Sequence, residues 1–256
     1  MIIALITDFG TKDYFVGAMK GVILSINDEA NLIDITHEIP PQDILSASFT
    51  LRNCYKEFPK NTIFVAVVDP GVGSERRAIL VETEKYFFIV PDNGLLSFIF
   101  DQEENFKIFK ITNKKFFRHP VSKTFHGRDI FSPSAAHLSN GIQPYEFGDQ
   151  ITDFVSFYEN SPKRISKNEV EAEIIHIDRF GNLITNLKKE DIPENFTLTI
   201  GETRIKNMKT FFSEAEKSEV FMIFGSAGFL EIAAFQDSAE KILKSKVGEK
   251  IKMLTN

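Results

Sequence analysis

The sequence predicts an α/β N-terminal domain with a mainly parallel sheet flanked by helices, followed by a small antiparallel β-barrel-like C-terminal domain. Three observations support this. The first half alternates apolar runs with amphipathic stretches, the pattern of strand–helix units whose helices cover a parallel sheet. From about Glu159 to Asn168 the chain is polar, contains Pro162 and loses apolar periodicity. Beyond that stretch, short strand signals recur between turn residues, which suits an antiparallel barrel or sandwich. The expected organisation is an α/β domain over 1–158, a linker over 159–169 and a β-rich domain over 170–256.

Taken in order, Ile2 to Ile6 reads as a buried strand, and Tyr14 to Ile26 as a helix with Phe15, Met19, Val22 and Ile23 on one face. Asn31 to Ile35 is a second strand, and Gln42 to Tyr55 a second helix carrying Ile44, Leu45, Phe49 and Leu51. Thr62 to Val68, dense in β-branched residues, is a third strand. Ala78 to Glu82 and Tyr86 to Val90 are strands joined by a short charged turn. Ser132-Pro133 reads as an N-cap followed by proline at the first helical position, with Gly141 closing that helix. In the second half, strands are expected at Val170 to Ile177, Leu183 to Leu187, Phe196 to Ile200, Val220 to Phe224 and Leu230 to Phe235. A short helix is expected near Ser238 to Leu243.

Composition narrows the functional classes. The 256 residues are 43% hydrophobic and 26% charged, which excludes disorder as the default. A net charge of −6 with no long basic run disfavours a nucleic-acid partner. Cys54 is the single cysteine, so neither an intrachain disulfide nor a cysteine-rich zinc site is available. It sits in a helix-like stretch and reads as a half-buried small residue. Met1 to Ile6 lacks the features of a signal peptide, and no stretch of about 18 apolar residues follows. A cytoplasmic location without a membrane partner is the expectation.

Ligands of parallel α/β sheets bind beyond the carboxyl ends of the strands, and Asp8, Asp34 and Asp69 occupy such ends. Asp8 opens Asp8-Phe9-Gly10-Thr11-Lys12-Asp13, which fits either a helix-capping loop or carboxylates holding a diol or ammonium group. The run from Asp69-Pro70-Gly71 through Gly73 to Arg76-Arg77 fits a reverse turn with solvated charges, an anion nest, or a loop in which Gly73 admits close approach of a ligand. It lacks the Gly-Lys-Ser/Thr ending of a P-loop. His126 lies in Thr124-Phe125-His126-Gly127-Arg128-Asp129, where its neighbours can orient it. Asp178-Arg179-Phe180-Gly181-Asn182 and Gly225-Ser226-Ala227-Gly228 each read equally as plain turns. Asp8, Asp69 and His126 could also form a carboxylate–histidine metal site.

Six segments in order resemble the S-adenosylmethionine hydroxide adenosyltransferase family, hydrolytic relatives of the fluorinase and chlorinase enzymes. They are TDFGTKD (Thr7 to Asp13), VDPGVGSERR (Val68 to Arg77), PDNGLL (Pro91 to Leu96), FHGRD (Phe125 to Asp129), IDRFGNLITN (Ile177 to Asn186) and GSAGFLEIA (Gly225 to Ala233), together spanning nearly the whole chain. The resemblance implies a catalytic Asp69, Arg76 and His126, with Asp8 on the ribose hydroxyls. It implies Asp13 and Asp178 near the methionine ammonium, Asn182 near the adenine edge, and Ser226 at the methionine end. Glu231 belongs to the same ligand-facing segment. It further implies a homotrimer with each site between the N-terminal domain of one subunit and the C-terminal domain of the next. The halogenases replace the aspartate of VDPG and the histidine of FHGRD and carry an insertion after the arginine, whereas this chain passes directly from Arg77 to Pro91. One departure is Gly225-Ser226-Ala227, where the family more often carries an Asn-Ser-Ser/Arg-type run.

The implied reaction is hydrolysis of S-adenosylmethionine, including the (R)-sulfonium epimer, to adenosine and L-methionine by activated water or hydroxide attacking C5′. No metal and no cofactor is expected. The leaving group is a neutral thioether, so the difficulty lies in the nucleophile, water, whose pKa is about 15.7. An arginine beside that water favours hydroxide, and either His126 or Asp69 could take the proton. Three alternatives differ in outcome. A halogenase would form 5′-chloro-5′-deoxyadenosine, a non-catalytic adenosine or S-adenosylmethionine sensor would form no product, and a metal-dependent phosphohydrolase would lose activity to a chelator.

Overall fold

The computed structural model describes residues 1–156, 161–193 and 195–255. Strands and helices alternate from β1 (Ile2–Thr7), α1 (Phe15–Ile26), β2 (Asn31–Thr36) and α2 (Ile44–Arg52) to β3 (Ile63–Val67). Then follow β4 (Ala78–Thr83), β5 (Phe87–Pro91), α3 (Ser97–Phe100), β6 (Phe106–Lys110), α4 (Ser132–Ser139) and β7 (Gln150–Ile151). These belong to one compact unit, Met1–Phe157; a second unit comprises Tyr158–Asn256.

The first unit holds a seven-stranded sheet in the order β2-β1-β3-β5-β4-β6-β7. Strand alternation sorts the core onto its two faces. Ile3, Leu5, Ile63, Val65 and Val67 meet Met19 and Ile23 of α1 and Ala135, Ala136 and Leu138 of α4. Ala4, Ile6, Phe64, Ala66 and Val68 meet Ala47 and Leu51 of α2 and Leu96 and Ile99 around α3. Both faces are covered, which is why the central strands read as unbroken apolar runs.

The sheet is mixed, which corrects the expectation of a mainly parallel one. β2, β1, β3 and β5 are parallel, but β4 is antiparallel to β5 and to β6, and β6 to β7. The cause is the tight charged turn between β4 and β5. Thr83 donates its N–H to the Tyr86 carbonyl at 2.9 Å, and its Oγ1 accepts from Tyr86 N at 3.0 Å, closing a hairpin too short for a crossover. The second helix is also shorter than expected. Gln42 has φ +67 and cannot be helical, while the Asp43 side chain caps the helix by accepting from Ser46 N at 2.9 Å. Cys54 is half-buried, and burial pushes its thiol pKa up to about 11.

Ser132 is not an N-cap. A wide turn over Gly127–Phe131 runs straight into α4, and the buried Ser132 hydroxyl has no hydrogen-bond partner. Pro133 supplies the reason. It has no N–H for the carbonyl four residues back, that of Asp129, which instead accepts from Arg118 N at 2.9 Å.

In the second unit, β8 (Lys163–Ser166), β9 (Glu169–Ile177), β10 (Leu183–Lys188), β11 (Phe196–Ile200), β12 (Thr203–Ile205), β13 (Val220–Phe224), β14 (Phe229–Ala234) and β15 (Lys250–Thr255) accompany α5 (Ala239–Leu243). The sheet order is β12-β11-β15-β9-β10-β14-β13, with β8 added on β9, and every named pairing is antiparallel. Past β12 the chain reaches β13: Met222 N donates to Asn207 O at 2.8 Å and Lys209 N to Met222 O at 2.9 Å. The sheet thus nearly closes on itself around Ile174, Leu183, Leu198, Leu230, Ile232 and Ile251. Within 159–169, read above as a linker, Lys163–Ser166 is this β8 strand. It is exposed along its whole length and so carries no apolar alternation, and Glu159 and Asn160 lie outside the described residues.

Candidate active site

The antiparallel entry of β4 has a chemical consequence. β3 ends, and β4 begins, at the same edge of the sheet, so the loop leaving Asp69 returns to Arg76 without crossing the sheet. Arg76 Nε donates to both Asp69 carboxylate oxygens, at 2.8 and 2.9 Å, and its Nη2 also bonds Oδ2. These side chains are only 10% and 5% exposed, so the paired charges are weakly screened. The guanidinium also lies 5.2 Å from the Phe131 ring centre.

Arg76 Nη2 lies 2.8 Å from His126 Nδ1. Guanidinium nitrogens only donate, so Nδ1 is the acceptor and the neutral ring carries its proton on Nε2. Burial lowers the His126 pKa and the Arg76 charge lowers it further, against a smaller opposite pull from Asp69 and Asp129. The imidazole is therefore held neutral at physiological pH.

Two features set the His126 loop against the Asp69–Arg76 loop. Gly73 has φ +79, and a Cβ there would fall 2.3 Å from the Lys123 carbonyl oxygen. The close approach foreseen for this glycine is thus to the neighbouring backbone. Asp129, fully buried, accepts from Ser122 N at 2.8 Å, from Arg128 Nε at 2.7 Å and from Arg118 Nη1 at 3.2 Å, tying the loop before His126 to the wide turn after it.

Asp8 leaves β1, the strand next to β3, where Thr7 registers with Val67. Its Oδ2 accepts from Gln42 N at 2.8 Å. The turn is held from below: Thr7 Oγ1 bonds His37 Nδ1 at 2.8 Å and accepts from Phe9 N at 3.2 Å, while Gly10 N donates to His37 O at 2.7 Å. Asp13 is exposed before α1. Asp8, Asp69 and His126 do not form a metal-binding group, and among the described residues no cluster of three or more His, Cys, Asp or Glu does.

In the second unit, Asp178 organises the β9–β10 turn. Its Oδ1 accepts from Phe180 N and Asn182 N at 2.8 and 2.9 Å, and its Oδ2 from Asn182 Nδ2 at 2.8 Å. This leaves Asn182 one amide N–H and its carbonyl oxygen. Glu231, on β14 opposite Ile184 of β10, lies over Gly225, where a Cβ would fall 1.6 Å from Oε1. Burial, then the negative charge of Asp178, push the Glu231 carboxyl up to about 7. Ser226 is exposed in the β13–β14 turn. Beside Asn182, a groove of about 460 Å³ is lined by Phe180, Phe212, Ala234, Phe235, Gln236 and Asp237.

The model of the SAM hydroxide adenosyltransferase N-terminal domain matches residues 3–148, and that of the C-terminal domain matches residues 172–252. The chain belongs to the SAM hydroxide adenosyltransferase family. It is 37% identical to the (R)-S-adenosyl-L-methionine hydrolase of Methanocaldococcus jannaschii, over 99% of this chain and 95% of that protein. It is 32% identical to the enzyme of that name from Thermus thermophilus, over 97% of this chain and 98% of that protein. The crystal structure of an uncharacterized conserved protein from Thermotoga maritima superposes with a TM-score of 0.89 at 35% identity, covering 98% of this chain and 99% of that one.

Within this SAM hydroxide adenosyltransferase, the structure joins Asp69, Arg76 and His126 by direct contacts and places Asp8 on the adjoining strand end. It groups Asp178, Asn182 and Glu231 in the second unit. Sequence reasoning missed the support beneath Asp8: the Thr7–His37 contact joins residues thirty apart, although Asp34, 3.0 Å from His37 Nε2, is only three residues before it. Phe212 likewise carried no signal, although Phe180, 76% exposed, stood inside a quoted segment.

Proposed function

We propose that this chain hydrolyses S-adenosylmethionine to adenosine and L-methionine, acting on the (R)-sulfonium form named for its relatives. The observation that carries the reading is the buried Asp69–Arg76–His126 contact set. Asp69 and His126 engage Arg76 through Nε and Nη2, leaving Nη1 to donate to an incoming oxygen. Opposite charge at that position favours hydroxide over water. His126 Nδ1 is occupied by Arg76, so in this reading Asp69 takes the proton while His126 orients the guanidinium. The oxygen bonds to C5′, the C5′–S pair leaves on sulfur as a neutral thioether, and one proton is released. Fixing a single water in line supplies much of the rate.

The second unit offers complementary chemistry. Aromatic faces at Phe180 and Phe212 suit a purine, and the N–H and carbonyl left on Asn182 suit the paired donor and acceptor of an adenine edge. Asp178 and Glu231 give negative potential for an ammonium, to which Asp13 would add; Ser226 would contact the methionine end, and Asp8 the ribose diol. A homotrimer that pairs the N-terminal domain of one subunit with the C-terminal domain of the next accounts for site residues divided between two units. No metal or cofactor is required by this chemistry. No helix among the described residues is long and apolar enough to cross a membrane, and a cytoplasmic location fits the substrate.

Turnover in labelled water tests the reaction. Label in the adenosine 5′-hydroxyl is expected, and adenosine free of label would sink the mechanism. Separate assays on the two sulfonium epimers decide the substrate form.

A further inference from the structure

β3 and β4, which carry Asp69 and Arg76 at their ends, are not neighbours. β5 lies between them, so the two backbones are separated by two inter-strand spacings, about 10 Å. β5 runs parallel to β3 and delivers its outgoing turn, Asp92-Asn93-Gly94, at the same edge between the two. Asn93 reaches one way: its Nδ2 donates to the carbonyl of Val68, the residue before Asp69, at 2.9 Å. Its own Oδ1 accepts from Leu95 N at 3.3 Å, which fixes the amide. Asp92 reaches the other way, to Arg77, the residue after Arg76. Its N–H donates to Arg77 O at 2.9 Å and its Oδ2 accepts from Arg77 Nε at 2.8 Å. Asp92 Oδ1 accepts from Val155 N at 2.9 Å, and Arg77 Nη1 donates to Asp153 Oδ2 at 2.7 Å. With its side chain 2% exposed, the Asp92 contact to Arg77 is little weakened by solvent.

We propose that Asp92 and Asn93 are positioning residues, two consecutive members of one turn that hold the flanks of Asp69 and Arg76 so that carboxylate and guanidinium stay in register. This rests on the catalytic reading of that pair given above. The two residues act through the backbone of Val68 and through Arg77, and a relaxation of about 1 Å in either is enough to misplace a reacting group by a factor of about 10² in rate.

Asn93→Asp and Asp92→Asn test it in the full chain, with Arg76→Ala in the same series. Asn93→Asp keeps the shape but sets an oxygen against the Val68 carbonyl; Asp92→Asn removes the charge facing Arg77. Both should lower kcat roughly 10- to 100-fold with KM for S-adenosylmethionine changed by no more than about twofold. The His126 ring, followed by NMR titration, should move up toward its ordinary 6.5, because Arg76 no longer sits against Nδ1. Loss of thermal stability alone would move neither the kcat-to-KM split nor that titration. Wild-type kcat with an unmoved His126 in both variants overturns the proposal, as does an effect confined to KM. If Arg76→Ala keeps full turnover, the catalytic reading fails by itself, and the His126 titration still decides whether the turn places Arg76.

Discussion

Replacing Glu231 with glutamine should stabilise the protein at alkaline pH and leave it unchanged in acid. Burial and the Asp178 charge raise this carboxyl from 4.5 to about 7. Below pH 4.5 the group is protonated in both folded and unfolded chains and costs nothing. Between 4.5 and 7 the folded state binds more protons than the unfolded one, so stability falls as pH rises; above 7 the full cost is present. At about 1.4 kcal/mol per pH unit the rise corresponds to about 3 kcal/mol. Glu231 is only partly buried, and solvent screening reduces this to about 1–2 kcal/mol. Glutamine keeps the side-chain shape that fits over Gly225 and removes the charge. Urea unfolding of both proteins at pH 4 and pH 8.5 is the assay. A gain of about 1–2 kcal/mol at pH 8.5 that vanishes at pH 4 is expected. A gain equal at both pH values would mean the carboxylate is not held at a cost, and would refute the reasoning.

Arg76→Lys should lower kcat by about 10² or more, because an ammonium cannot fork to Asp69 and still reach His126; near wild-type kcat would show that the fork is dispensable. Turnover should stay flat through neutral pH and fall only on the acid side of the ordinary histidine range as His126 protonates against Arg76, so a profile that already falls above pH 6.5 speaks against the neutral imidazole. Gly73→Ala should cost about 2 kcal/mol or more and depress turnover together, since φ +79 and the Lys123 carbonyl both oppose a Cβ; thermal melting and kcat check it. Asp129→Asn should destabilise by about 2–3 kcal/mol, leaving two arginines facing a buried neutral amide, and an unchanged melting temperature would contradict that.

Much of the fold was legible because its signals are local. The apolar runs of β1 and β3 and the face of α1 follow directly from residue order, and the turn chemistry at Asp178 to Asn182 marked its hairpin. Of the elements that escaped notice, three lacked a local signature: β8 is exposed throughout, β7 has two residues, and β12 three; β6 and β15 were missed as well, although β15 alternates exposed and buried residues. At the site, Asp69, Arg76 and His126 were each ambiguous alone. What joins them is pairing across 7 and 50 residues of sequence, which no local pattern encodes. The same holds for His37 beneath Asp8 and for Asp153 against Arg77, both contacts between distant segments.

The point on which the sequence misled is also the one that explains the chemistry. A mainly parallel sheet would need a helical crossover between β3 and its successor, and the next strand would then begin at the opposite edge. Arg76, just ahead of that strand, would lie a full strand length from Asp69, about 17 Å. The Glu84-Lys85 hairpin reverses β4 against β5, so the chain enters β4 at the edge where β1, β3 and β5 end. Carboxylates from parallel strand ends and a guanidinium from an antiparallel strand start thereby share one edge. A parallel β4 would leave Asp69 as an unpaired carboxylate at a strand end, and the mixed sheet converts it into half of a buried ion pair with one donor edge to spare.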